Sequence, residues 1–336
     1  MRIAFLLLGL AVFCYLVWSF GIDNIVVNVQ RTGWWFLPVI GIWFVVYLLN
    51  AWAWYVILHD NAEDVSFGTM LTLTISGFAI NYITPFLNLG GEPYRVVSLR
   101  ETVGLHRAVS SVILYNMVRM LSHFFFWLGA IVLVILTTQI SFGFGIALGC
   151  VSVVVLGLTY FFLSRHRKGI FESLLSWLSR NRLFRPLASK LDARRDGLLK
   201  IDGQIIELYN HQRGSFYKVL LLEFISRVIA SAEFYFILHA IGYDTSFLEA
   251  IYINAASSLI LNMLFFIPFE LGTREGGLYV IMQSLGYISG IGIYVGLINR
   301  VRELFWIFVG LILILWIGRQ QVRGSMLEMI EADSGS

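Results

Sequence analysis

Pro85-Phe86-Leu87-Asn88-Leu89-Gly90-Gly91-Glu92 and Pro268-Phe269-Glu270-Leu271-Gly272-Thr273-Arg274-Glu275 decide how this chain is read. The second stretch repeats the Pro and Glu of the first 183 positions later. Followed outward in the same register, Asn116 and Arg119 recur as Asn299 and Arg302 with no gap. Apolar matches along the register (Phe86/Phe269, Leu121/Leu304, Phe125/Phe308, Leu128/Leu311) carry little weight, because Leu and Phe are abundant. A matched Glu, Asn and Arg in greasy surroundings carries more, since each is costly in a membrane and is seldom kept there without a partner or a task. Two such halves are what a transporter built from internal repeats shows.

The surroundings are greasy by any measure. Of 336 residues, 58% are hydrophobic and 13% charged, and the mean hydropathy is +0.78. A soluble protein of this length could not cover so much apolar surface, so bilayer is the economical solvent. Residues 3–20, 34–58, 108–136, 140–163, 216–240 and 293–317 are each long enough to span as helices. Two further apolar stretches, 66–89 and 246–268, are broken near their ends by Pro85 and Pro268. Arg2 precedes the first apolar run, but no small-x-small cleavage site follows, and Phe13 spoils a lipobox ending at Cys14. A retained anchor helix is expected. Cys14 and Cys150 both fall in apolar segments, which supports neither a disulfide framework nor a zinc site.

Charge distribution sets the expected topology. Twelve of the 24 Lys and Arg residues lie between 164 and 218, which places this loop in the cytoplasm by positive-inside bias. Its apolar residues (Phe171, Leu174, Leu175, Leu178, then Leu198, Ile201, Ile205, Leu208) keep a helical spacing. Amphipathic helices resting on the inner leaflet and a solvated topology determinant are both consistent with that. The stretch Gly90–Arg107 and the tail with Arg319 and Arg323 are also basic and expected inside. Starting from an inside N-terminus, segment 66–89 must begin and end on the cytoplasmic face, so it dips in and returns. By the same counting, 246–290 begins and ends outside. The competing topology starts outside and lets 66–89 cross. The favoured fold class is an all-α polytopic membrane protein, with about six spanning helices plus two re-entrant helical hairpins arranged as an inverted repeat. The expected organisation is a single integral-membrane domain over 1–336, with a first repeat at 66–136, a basic insert at 164–215 and a second repeat at 246–317.

The polar residues of the repeat then become candidate site residues. Arg119 lies about eleven residues into its helix, near mid-membrane at roughly 1.5 Å per residue, and Arg302 sits at a comparable depth. A guanidinium there must be paired or wetted, and its planar fork suits phosphate or carboxylate oxygens. Glu92 and Glu275, at the tips of the hairpins, are the expected counter-ions. The irregular Gly-rich stretches around them are tolerable at membrane depth only when buried or lining a wet cavity, and each precedes a short helix whose N-terminus can seat an anion. Arg119–Glu92 and Arg302–Glu275 would equally serve as internal salt bridges fixing each hairpin to its helix. Asn116 and Asn299 lie one turn before the Arg residues and can bond across helices. Glu223 and Arg227, at i,i+4, read as a local ion pair. Glu233 has no local partner and joins Glu92 and Glu275 as a candidate for proton coupling. His123, one turn after Arg119, reads first as a satisfied polar residue.

Gly90-Gly91-Glu92-Pro93-x-Arg95-x-x-x-Leu99 and Gly272-x-Arg274-Glu275-Gly276 resemble the transmembrane region of the lysylphosphatidylglycerol synthase/flippase family over nearly the whole chain. Asn88 is a minor departure from the usual first motif. The resemblance implies movement of lipids or lipid-linked groups between leaflets of a prokaryotic inner membrane; the charge counting above places both termini on its cytoplasmic side. It adds Arg95 and Arg274 to the substrate-binding set of Glu92, Asn116, Arg119, Glu275, Asn299 and Arg302. Some members add a soluble domain that transfers an amino acid to phosphatidylglycerol. That domain is expected to be absent here, so aminoacyl transfer is not carried over.

The leading expectation is a flippase or scramblase for a phosphate-headgroup or polyprenyl-phosphate-linked lipid, with no cofactor and no nucleic-acid partner, and with a separate lipid-synthesising enzyme as supplier. No G-x-x-x-x-G-K-[ST] loop is present for ATP hydrolysis, which leaves proton coupling or equilibration down a lipid gradient. An integral-membrane transferase acting on lipid is the first alternative; it lacks an Asp-x-Asp or His-Glu-x-x-His motif. A secondary transporter of a small anion is the other, since architecture does not fix cargo.

Overall fold

The computed structural model describes residues 22–59, 65–84, 90–137, 142–165, 213–264, 272–288 and 290–334, with Trp18, Gly203, Ile267 and Glu270 besides. The anchor helix at 3–20, nearly all of the basic insert, and the landmarks Pro85 and Pro268 lie outside the described residues. Every regular element within them is a helix. In chain order these are α1 (Ile22–Thr32), a 3-10 turn (Gly33–Trp35), α2 (Phe36–His59), α3 (Phe67–Ile83), α4 (Gly91–Val103) and α5 (Leu105–Thr137). Then come α6 (Phe142–Arg165), α7 (Arg213–Ala230), α8 (Ala232–Ala240), α9 (Phe247–Met263), α10 (Thr273–Ser284) and α11 (Ile291–Ser334).

Length sorts them. Val26–Leu58, Leu105–Thr137 and Gly145–Leu163 are long and apolar enough to cross a bilayer, in agreement with the expected spans 34–58, 108–136 and 140–163. The 17-residue helices α3 and α9 are apolar but reach only about 25 Å at 1.5 Å per residue, short of a hydrocarbon core of about 30 Å. The 13-residue α4 and the 12-residue α10 are shorter still. The expected span 216–240 is divided at Ser231 into α7 and α8. The expected span 293–317 falls inside α11, whose Arg300, Arg302 and Glu303 keep it from qualifying on composition alone.

The same succession of elements occurs twice: α2–α3–α4–α5, and α7/α8–α9–α10–α11. The hairpin arms α3 and α9 begin alike. Ser66 and Ser246 cap them in extended backbone (ψ 148° and 154°), each hydroxyl accepting the N–H three residues on at 3.2 Å. Such a cap satisfies one of the N–H groups that a helix start leaves without a partner. The linker to the second arm is two residues longer in the second half, 264–272 against 84–90.

Across the halves, α2 packs along α7, α3 along α11, and α5 against both α7 and α9. Small residues set the closest approach: a Cβ on Gly310 of α11 would meet the Ala79 Cβ of α3 at 2.5 Å. One core gathers Trp54, Met70, Leu73, Ile80, Leu99, Tyr115 and Ile307 from the first half and α11. A second joins Ile237, Leu238, Ile253, Leu278, Val295 and Ile298.

Candidate functional site

A cavity of about 200 Å³ opens among α2, α5, α7, α8, α9, α10 and α11. Trp43, Arg119, His123, Arg227, Glu233, Asn254, Arg274, Asn299, Arg302 and Glu303 line it. Four guanidiniums and two carboxylates converge on one small volume inside an apolar helical body. They are not equivalent, and their partners tell them apart.

Arg302 is locked. Its Nε and Nη2 donate to the two oxygens of Glu233 at 2.9 and 3.1 Å, a bidentate pair with both residues 2% exposed. The Trp43 indole N–H donates to the same carboxylate at 2.7 Å, and the Arg302 guanidinium lies 3.9 Å above the Trp43 ring. Asn299, with its amide nitrogen facing the acceptors, donates to Glu233 Oε1 at 3.2 Å and to the Val295 carbonyl at 3.0 Å. Glu233 reaches this position because α7 ends at Ser231. The Arg227 carbonyl accepts from the Ser231 N–H, the Ser231 hydroxyl and the Asn254 amide at 3.2, 3.2 and 3.1 Å, and α8 follows with Glu233 in its first turn.

Arg274 is held by Glu270 and Glu303. Glu303 in turn lies 3.7 Å from Arg302 Nη1, which links the Arg302 and Arg274 clusters. Glu270 adopts a left-handed backbone, φ 54°. A non-glycine residue persists there only when its surroundings over-determine it. They do: its carbonyl accepts Arg300 Nη2 and the Thr273 hydroxyl, both at 3.0 Å, while its carboxylate takes Arg274.

Arg227 pairs with Glu223 at 3.5 Å, as the i,i+4 spacing implies. It also donates to Ser122 at 3.2 Å and to the Arg119 carbonyl at 3.1 Å. Glu223 accepts the Tyr115 hydroxyl at 3.0 Å.

Arg119 differs from the other three. Among the described residues no carboxylate lies within salt-bridge distance of its guanidinium, and its side chain donates no hydrogen bond. His123, one turn along α5, also faces the cavity, and its buried Nδ1 has no hydrogen-bond partner there. The arrangement can therefore do one thing directly: receive the oxygens of an anion on a preformed planar donor beside a second unsatisfied nitrogen.

Of the residues singled out in the sequence, Arg119, Glu233, Arg274, Asn299 and Arg302 line this cavity, and Glu92, Arg95, Asn116 and Glu275 do not. The expected counter-ions are exchanged. Arg302 takes Glu233 rather than Glu275, and Glu275 takes Arg300, whose Nη1 also reaches the Tyr82 hydroxyl at 3.1 Å. Glu92 accepts from Asn81 at 3.3 Å instead of meeting Arg119. Asn116 sits half-buried on α5, one turn before Arg119. Arg95, grouped by sequence with a basic stretch on the cytoplasmic side, is 2% exposed, with Trp54 at 5.2 Å and Tyr115 at 5.8 Å from its guanidinium. Glu303, Arg227 and Trp43 were missed as site residues. The cluster Asn299-Arg300-x-Arg302-Glu303 in an apolar helix was the available signal for Glu303. Nothing in sequence pointed to Trp43.

A separate apolar groove of about 360 Å³ is lined by Phe44, Leu71, Ile75, Phe305, Trp306 and Leu313 among others. It begins one residue along α2 from Trp43 and one turn along α11 from Arg302.

No curated protein and no solved structure matches the chain. The family model described as the lysylphosphatidylglycerol synthase TM region matches residues 3–312. With that match over an all-helical body with apolar spans, the chain is a helical membrane protein that belongs to the lysylphosphatidylglycerol synthase TM-region family.

Proposed function

We propose that this chain moves a phosphate-bearing lipid headgroup across the bilayer by way of the arginine-lined cavity, the lipid's chains staying in hydrocarbon. One observation carries the reading: Arg119 presents an unpaired guanidinium to a polar cavity, where every other arginine lining it has a carboxylate. Carrying a charged headgroup through hydrocarbon is costly because its water is stripped away. A cavity of fixed donors replaces that water. At about 200 Å³ the volume suits a headgroup rather than a whole lipid, and a separate apolar groove on α2, α3 and α11 offers a surface for a chain.

The doubled succession of helices supports an inverted repeat, with α3/α4 and α9/α10 as re-entrant hairpins entering from opposite faces. Their arms are too short to span alone, and both begin at a capped serine. Such a pair gives symmetry-related inward-open and outward-open states. The reading is of a carrier and not an enzyme, in a prokaryotic inner membrane with both termini cytoplasmic. Glu303, whose Oε2 accepts no hydrogen bond, is the acid placed to exchange a proton as the headgroup binds, which moves the coupling role away from Glu92, Glu275 and the locked Glu233.

Reconstitution in liposomes tests this. Headgroup-labelled phosphatidylglycerol should equilibrate between leaflets in the presence of the protein, and Arg119→Gln should slow it about ten- to hundredfold, the worth of one charge-assisted contact. Uptake of inorganic phosphate without lipid movement would replace the reading with a small-anion carrier, and a chemically altered lipid would replace it with a transferase.

A further inference from the structure

The two repeat arginines share a register but not an environment, and the helix that packs against each carries a different residue at one matched position. In the second half, Glu233 lies one turn before Ile237, which packs in the same core as Ile298, and Arg302 follows Ile298 by one turn. In the first half, Trp54 of α2 stacks on Tyr115 with ring centroids 5.9 Å apart, and Arg119 follows Tyr115 by one turn. The residue one turn before Trp54 is Asn50. It precedes Glu233 by 183 positions, the interval separating Arg119 from Arg302. Its Oδ1 is buried and accepts no hydrogen bond.

We infer that Asn50 marks an omitted counter-ion: where the second half supplies a glutamate to its arginine, the first supplies a neutral amide, and the phosphate of the transported group completes the pair with Arg119. The inference rests on the proposed function and narrows it, because it makes Arg119 the substrate contact and Arg302 a strut. The ligand chemistry is a phosphate oxyanion, whether the diester of a lipid or free inorganic phosphate. Arg302 cannot take that role without releasing Glu233, which its two hydrogen bonds and the Trp43 contact oppose. The Asn50 amide has the further property of not competing. It leaves the guanidinium charged, whereas a carboxylate at that place would neutralise the site before substrate arrived.

Asn50→Glu and Asn50→Gln separate charge from size. Detergent-solubilised protein is melted with and without phosphatidylglycerol in mixed micelles, and in parallel with inorganic phosphate. In the absence of ligand, Asn50→Glu should unfold at or above the temperature of Asn50→Gln, because the new carboxylate meets Arg119. It should also bind phosphatidylglycerol at least about tenfold more weakly than wild type, while Asn50→Gln binds as wild type does. Stabilisation of wild type by lipid and not by phosphate names the headgroup diester as the ligand; the reverse names the free anion, and the Asn50 contrast must hold for whichever binds. An Asn50→Glu protein less stable than Asn50→Gln, or one that binds the anion with wild-type affinity, overturns the inference. These readouts are of binding and stability, so a wild-type protein that fails to move lipid would refute the proposed function and leave the pairing of Arg119 to be judged separately.

Discussion

Replacing Glu233 by Gln keeps the shape of the Arg302 cluster and removes its negative charge. The consequence can be sized from the geometry. Both partners are 2% exposed, and the carboxylate accepts Arg302 at 2.9 and 3.1 Å and Trp43 at 2.7 Å. A glutamine keeps one oxygen acceptor and turns an amide donor toward donors that have no lone pair to offer. Arg302 is then a buried guanidinium without a counter-ion. Breaking a buried pair in this way costs about 3–5 kcal/mol, of which the nearby Glu303, 3.7 Å from Nη1, recovers a part. At about 2–4 °C per kcal/mol for a chain of this size, the melting temperature should fall by roughly 6–20 °C. The assay is thermal unfolding of purified protein in one detergent, wild type against Glu233→Gln and against the double variant Glu233→Leu with Arg302→Leu. The double variant removes both charges together and should lie near wild type, since buried pairs replaced by apolar residues are often neutral. A Glu233→Gln protein within about 1 kcal/mol of wild type, the exposed-pair range, would refute the view that this pair is a structural strut.

Other outcomes follow from single contacts. Gly310→Leu should separate α3 from α11, because even a Cβ meets Ala79 at 2.5 Å and the Ile75 carbonyl at 3.0 Å; overpacking of this kind costs about 1–3 kcal/mol, visible as a lower melting temperature and as loss of a disulfide engineered across the seam. Gly292→Ala drives a methyl against the Leu278 and Tyr279 backbone at 2.5 Å and should lower the melting temperature, although the same change in an exposed helix gains about 1 kcal/mol. Ser246→Ala removes the capping box of α9, in which Ser246 and Glu249 exchange bonds at 3.2 and 2.8 Å. It should cost about 1 kcal/mol and raise hydrogen exchange at the first turn of α9 while leaving α3 unchanged.

Sequence made the architecture legible where chemistry is local. Apolar length located α2, α5 and α6, and the i,i+4 spacing of Glu223 and Arg227 located their ion pair. The 183-residue register picked out Arg119, Asn299 and Arg302 because buried polar residues are rare enough in such a chain to stand out. Pairing was not legible. The partners of Glu233 are 190 and 69 positions away, and nothing in a one-dimensional register says which of two matched acids meets which of two matched arginines. The repeat argued for symmetry, so each Arg was given the Glu of its own hairpin. The fold instead spends Glu275 on Arg300, a residue with no counterpart of its charge: the position 183 earlier is Met117. Arg95 was not legible for another reason: a basic stretch gives its side of the membrane but not its burial, and Trp54 and Tyr115 give its guanidinium a buried face to lie against.

The unequal pairing bears on how the empty carrier stands in the membrane. A guanidinium in hydrocarbon without a contacting counter-ion costs several kcal/mol unless water reaches it; among the described residues Arg119 has no carboxylate within salt-bridge distance, and Glu223 and Glu92 act on it only from farther away. A polar space of about 200 Å³ has room for several waters, and the unsatisfied His123 Nδ1 and Glu303 Oε2 give them partners. Had Arg119 been paired as Arg302 is, a phosphate would have to break a buried ion pair before binding, at about 3–5 kcal/mol, which would lower the affinity more than a hundredfold. An arginine with no carboxylate in contact asks only for the displacement of water from its guanidinium. The strutted half can then hold its geometry while the other half exchanges solvent for headgroup, so binding energy is applied on one side of the pseudo-symmetric pair. This predicts that deuterium exchange and water accessibility at Arg119 fall when phosphatidylglycerol binds while those at Arg302 stay unchanged. Equal protection at both arginines would mean that the anion is shared between them and that the division of roles is wrong.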